Sequence, residues 1–255
     1  MFLNPHGHTL QRTAFRSKRR KRRAKGWGSA ALLIAALLVS CAGTDPKPLP
    51  QMTASVSEPA VERCAVFFPK GRWQMIHAIN FRMADGTTGN ALGVMVLDGR
   101  SLSCALMTVE GFTLFASRSP DNGPLEVLRA LPPFNSQAFA EGLIADVRTL
   151  FQLPAGLAGV GRLADGSSLC RYVADQTITD VFPGTDGCFH LATYAQTPAS
   201  GIDVPVRTRT VEARDCSRVG DSLVPRDVTL TGHGPAAYVL QLHLLSAEPL
   251  PASNP

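Results

Sequence analysis

No stretch of twenty apolar residues occurs in this sequence, and no Asp or Glu falls among its first 40 residues. The first absence excludes a comfortable transmembrane helix, which needs about 20 apolar residues. The second separates the chain into two parts of opposite charge. Catalytic signatures are missing too. There is no G-x-S-x-G elbow, no H-E-x-x-H and no Gly-rich phosphate loop ahead of a helix, so the hydrolase, zinc-protease and nucleotide sites that those motifs build have no foothold. No internal repeat recurs at a fixed period.

Of the 25 Lys and Arg residues, nine lie before residue 41, concentrated between Arg16 and Lys25. From Cys41 onward, 16 basic residues face 20 acidic ones, a formal net of −4. The pI near 9.1 therefore belongs to the leader, and the mildly acidic remainder gives no reason to expect a nucleic-acid partner. Trp27 to Ser40 is uncharged and apolar through Leu32, Leu33, Ile34, Leu37, Leu38 and Val39. A basic run, a short apolar run and small residues at its end form the layout of a secretory signal over residues 1–40. The boundary Leu38-Val39-Ser40-Cys41 resembles the lipobox of bacterial lipoproteins. That resemblance implies a diacylglyceride on the Cys41 thiol, cleavage before it and a palmitate-class chain on the new amine. Two or three acyl chains anchor stably where one binds marginally. Ala42, not Asp, follows the cysteine, which in enteric-type bacteria implies the periplasmic face of the outer membrane.

Residues 41–59, with Pro46, Pro48, Pro50 and Pro59, read as an extended tether, and residues 248–255 as an unpacked tail. Residues 60–247 then form a single domain. Asp98-Gly99 between Ala91–Leu97 and Leu102–Val109 is a hairpin signal, and Trp73–Met83 and Phe112–Ser117 flank it as further strands of a meander. More candidate strands follow at Gly159–Leu163, Leu169–Val173, Thr177–Phe182, Cys188–Tyr194, Val206–Ala213, Asp227–Thr231 and Ala237–Leu245. The polar Val206–Ala213 is expected to be wet and near an edge. Between the two sets, Asn135 or Ser136 caps an amphipathic helix in which Phe139, Leu143, Val147, Leu150 and Phe151 recur at helical spacing until Pro154. The expected fold is mainly β with one prominent helix (α+β), an antiparallel half-barrel or strongly curved sheet closed by that helix. Phe139, Leu143, Val147 and Phe151, with Leu240 and Leu242 of the last strand, are the candidate lining of an apolar cavity or its lid.

A lipobox, a Pro-rich tether, a meander, one helix and a second strand set together resemble the lipoprotein localisation factors of the Gram-negative envelope. Those are a periplasmic carrier and an outer-membrane receptor that share a half-barrel of strands closed by helices. More narrowly, Gly111-Phe112-Thr113-Leu114-Phe115, Leu143-Ile144-Ala145-Asp146-Val147 and Tyr238-Val239-Leu240-Gln241-Leu242 resemble a Gram-negative outer-membrane lipoprotein family of unknown function, encoded beside aryl polyene and fatty-acid-type biosynthesis genes. That family offers no catalytic residues to carry over. The cysteines depart from its pattern.

Those cysteines are Cys64, Cys104, Cys170, Cys188 and Cys216. An oxidising envelope favours disulfides, and five thiols leave at least one without an internal mate. Cys170 and Cys188 are the expected pair. Cys188-Phe189-His190 has no second ligand pair at zinc spacing, so no metal and no cofactor is expected. His77, His190 and His243 fall on candidate strands, where a histidine is ordinarily a polar surface residue, and His233 lies in a turn between glycines. The expectation is a membrane-anchored, non-catalytic binder or carrier of lipid or lipoprotein cargo. The alternative is a structural or accessory envelope lipoprotein that binds a partner protein.

Overall fold

Short turns between alternating segments dictate antiparallel pairing, and the computed structural model of the protein carries that pattern through most of the chain. It describes residues 48–54, 62, 64–196 and 205–251, all within one compact unit, Asp45–Pro255. The elements are β1 (Thr53–Ala54), β2 (Arg72–Met83), β3 (Thr88–Asp98), β4 (Ser101–Met107), β5 (Thr113–Ser119) and β6 (Glu126–Ala130), then the helix α1 (Gln137–Phe151). After it come β7 (Leu157–Arg162), β8 (Ser168–Ala174), β9 (Thr177–Pro183), β10 (Phe189–Ala195), β11 (Val206–Val219), β12 (Ser222–Gly232) and β13 (Tyr238–Leu250).

All of these strands belong to one antiparallel sheet in the order β1-β7-β8-β9-β10-β11-β12-β13-β2-β3-β4-β5-β6. Two meanders, one on each side of α1 in sequence, are therefore joined where the last strand pairs with the first long one, from Tyr238 opposite Met83 to Leu250 opposite Arg72. The sheet curls around the helix. Side chains of one face, from Cys170 and Tyr172 on β8 through Leu242 on β13 to Phe115 on β5, form a single cluster with Ala140, Ile144, Leu150 and Phe151 of α1. The mainly β, helix-closed, strongly curved sheet expected from the sequence is the fold observed.

The helix begins where its sequence says it should. Ser136 is extended, and its side chain accepts from the Phe139 N–H at 3.1 Å, satisfying one of the donors that a helix start leaves free. Its end follows from Pro154, which cannot continue a helix. Full burial of a side chain such as Ile144 or Leu150 contributes about 1.5–3 kcal/mol, so α1 is held by its contact with the sheet more than by its own propensity.

Several expectations need correction. Residues 48–54 of the supposed tether are not free chain but a strap across the opposite face of the sheet. Pro48 bridges to Val206, and Thr53 and Ala54 pair with Arg162 and Gly161. Leu49 and Met52 cover a second cluster of Leu169, Ile178, Phe182, Ala192 and Tyr194. Gly161 makes room for the strap: a Cβ there would stand 2.2 Å from Met52 Cγ. Beneath it, Arg171 forms a forked pair with the fully buried Asp180 at 2.6 and 2.7 Å and donates to the Pro50 carbonyl at 2.9 Å. At the other end, Glu248 to Leu250 belong to β13 and not to an unpacked tail. Val206–Ala213 is not near an edge either, because β11 runs between β10 and β12 and the sheet's edges are β1 and β6.

The disulfide Cys170–Cys188 is not formed. Cys64 pairs with Cys170 and Cys188 with Cys216, at Cα separations of 6.3 and 5.4 Å, and Cys104 is a buried free thiol. The reason is spacing. β9 lies between β8 and β10, and strands two apart in a sheet stand roughly 9–10 Å from one another, beyond the reach of a disulfide. The Cys64 bridge brings Phe67 and Phe68 against Phe189, at ring separations of 4.9 and 6.1 Å, filling one end of the concave face.

Candidate functional site

The concave face is apolar by strand alternation, and α1 lies on it with its own apolar stripe. Ile79, Met95, Leu106, Leu143, Val147 and Leu240 are among the side chains around a residual space of about 50 Å³ between helix and sheet. Of the expected lining, Leu143, Val147, Phe151, Leu240 and Leu242 surround this space. Phe139 does not: it packs edge-on against Phe115 at 5.4 Å and beside Phe134 at 5.1 Å. Leu38, Val39, Ser40 and Cys41 lie outside the described residues. Cys170 and Cys188 are separately bridged and do not line the space. Among the described residues, no helix is long and apolar enough to cross a membrane.

Among the polar groups that break the apolar surface, two lie against α1. The first is Asp146, which projects from α1 into the sheet and is 6% exposed. Arg209 Nε donates to its Oδ1 at 2.5 Å and Tyr238 to its Oδ2 at 2.6 Å. Burial pushes the carboxyl above its ordinary range, while the Tyr238 hydroxyl and the Arg209 guanidinium pull the other way. Burial and the neighbouring carboxylate likewise raise the Tyr238 hydroxyl. With donors on both its oxygens, Asp146 fastens the middle of α1 to β11 and β13. Asp146 is not one of the apolar residues that mark the helix face in the sequence. Its spacing still puts it on that face, since Asp146 stands three residues after Leu143 and four before Leu150.

The second is His77 on β2, 3% exposed, with its ring 5.3 Å from that of Phe151 and no hydrogen-bond partner for Nε2 within the protein. The surface reading of this histidine is wrong: its parity with Trp73 and Met75 puts it on the concave face. Burial, then repulsion from His243, lowers its pKa to about 4 from 6.5. A base depressed in the fold stays neutral there while it protonates in the unfolded chain. Its stability contribution is therefore complete above pH 6.5 and falls by about 3 kcal/mol as pH drops to 4. Urea unfolding at pH 7 and pH 4 should show this part of the acid loss abolished in His77→Leu. An equal loss in parent and variant would disprove it.

A larger cavity, about 600 Å³, opens where α1 ends. It is lined by Leu97, Arg100, Asp121, Arg148, Tyr172 and Thr179 among others, and Phe151 borders both this cavity and the apolar space. The other histidines among the described residues are dispersed. His190 stacks on Phe182 at 4.2 Å, His233 meets the Thr210 hydroxyl at 3.1 Å and His243 meets Asp227 at 2.7 Å. Cys104 lies 3.3 Å from the Ser117 hydroxyl, and burial pushes its thiol up, away from the reactive thiolate. Cys188, being disulfide-bonded, offers no metal ligand beside His190.

No protein-family model and no curated protein sequence matches the chain. Among solved structures it is similar to a LolA superfamily protein from Nitrosomonas europaea, with a TM-score of 0.47 and 12% identity over 77% of this chain and 96% of that one. It is also similar to a domain from Vibrio parahaemolyticus described as outer-membrane lipoprotein-sorting, with a TM-score of 0.36 and 9% identity over 74% of this chain and 89% of that one.

Proposed function

We propose that this chain is a non-catalytic envelope protein that takes up acylated cargo between α1 and the concave sheet, held at the membrane through lipid on Cys41. The observation that carries the reading is the apolar contact of a single helix on a curled sheet, with a residual apolar space beneath it and an open cavity at its end. The energies are suitably matched. Ile144, Leu150 and Phe151 are buried, and Phe139, Leu143 and Val147 are partly so. Their contact with the sheet contributes on the order of 10 kcal/mol gross. A sixteen-carbon acyl chain, at about 0.8 kcal/mol per CH₂, gains a similar amount from the same surface. Exchange of helix for acyl chain is then near balance, as reversible binding needs. The leader and Leu38-Val39-Ser40-Cys41 support export and lipidation, and Ala42 supports the periplasmic face of the outer membrane as the site of action.

One observation favours the alternative, an accessory lipoprotein with a solid core: only about 50 Å³ stays open under the helix. The test is to purify the mature chain with Cys41→Ser without detergent, extract it with organic solvent and examine the extract by mass spectrometry. Copurified lipid, with uptake of a fluorescent fatty acid, is expected. Absence of both would remove the carrier reading and leave the accessory one.

A further inference from the structure

A row of polar side chains crosses the apolar concave face at right angles to the strands. Tyr172 on β8 stands opposite Thr179 on β9, Thr179 opposite Thr193 on β10, and Thr193 opposite Arg209 on β11. Directly opposite residues share a face, with Cβ atoms about 4.5–5.5 Å apart. The row starts at the 600 Å³ cavity, whose lining includes Tyr172 and Thr179, and ends at the Arg209–Asp146–Tyr238 group that holds α1. Two of its hydroxyls are unsatisfied. Tyr172 is 3% exposed and Thr193 6%, and neither hydroxyl has a hydrogen-bond partner within the protein. Buried hydroxyls without partners are costly, and each calls for an explanation such as a ligand that uses it.

We propose that this row recognises the ester groups of an acyl-glyceride cargo, the Tyr172 and Thr193 hydroxyls donating to its carbonyl oxygens. This rests on the carrier reading above and assigns it a ligand chemistry. An ester carbonyl accepts and cannot donate, which suits two O–H groups that lack acceptors. Two such donors in one row match a diester better than a plain hydrocarbon or polyene, which has no acceptor to offer. The polar portion of the cargo would occupy the cavity end of the row, and its chains would pass Phe151, which borders both spaces, to lie under α1.

The probes are 1,2-didecanoylglycerol and the diether of the same chain length, which differ only in the carbonyls. Binding of each to the full-length mature lipoprotein is measured by native mass spectrometry of the protein released from detergent micelles. The parent is expected to prefer the diester at least tenfold, an ordinary return for hydrogen bonds to buried donors. Tyr172→Phe combined with Thr193→Val should bring that preference within threefold. Because neither hydroxyl is bonded within the protein, this double variant should unfold at the same temperature as the parent or above it. Equal binding of diester and diether by the parent overturns the row as an ester site while leaving the carrier intact. A preference that survives the double variant, or a variant that melts well below the parent, does the same. Binding of neither probe overturns the carrier reading as well.

Discussion

Replacing Cys64 and Cys170 together by alanine should lower the unfolding free energy by about 4–5 kcal/mol. The bridge spans 106 residues, and closing a loop of that size removes roughly this much from the entropy of the unfolded chain. Such a loss is a large fraction of an ordinary domain's stability, about 5–15 kcal/mol. The damage should also be local. The bridge holds the segment whose Val66 carbonyl accepts from the Leu223 N–H at 3.0 Å and whose Phe67 stacks on Phe189. Urea unfolding of the double variant beside the parent measures the effect, and a loss below about 1 kcal/mol would mean the loop-entropy argument fails here. The Cys188–Cys216 bridge, across 28 residues, should matter less, as shorter loops do.

Asp146→Ala is the second large effect expected, at about 3 kcal/mol or more. Arg209 and Asp146 side chains are 23% and 8% exposed, so solvent cannot take the carboxylate's place freely. Removing one member of a buried pair strands the other's charge, which typically costs 3–5 kcal/mol, and here the Tyr238 hydroxyl is orphaned as well. Arg209→Met in the Asp146→Ala background should recover part of the loss, because no stranded charge remains. A double-mutant cycle by denaturant unfolding measures the coupling. Purely additive effects would show that the pair does not fasten the helix.

How much of this could be read in advance depended on whether a residue's setting was local. Ser136 and Pro154 bound α1 by local chemistry, and the helix lies where they put it. Asp98-Gly99 placed β3 and β4 for the same reason. The strand β6 escaped notice because Glu126–Ala130 is mostly exposed at the sheet's edge and so carries no alternation to detect. β1 is two residues whose pairing is decided by β7, far along the chain. The strap was invisible because prolines at 48 and 50 mark extended chain equally well whether it is free or docked. Arg209 lies in a segment polar enough to suggest a wet strand, although its parity with Val211 and Ala213 places it on the buried face. The polar row across β8 to β11 needed the registers of three strand pairs, which no single segment contains.

The pairing of β13 with β2 has a consequence in time. Residue 250 must find residue 72 before the middle of the sheet exists, so the contact that unites the two halves is among the most distant in sequence. Long-range pairing of this kind folds slowly, since a loop of that length must close before any contact rewards it. While the ribosome is still adding residues, β2 to β5 have a turn-linked meander but no neighbour along β2's other side. The two halves are thus joined only once β13 has been made.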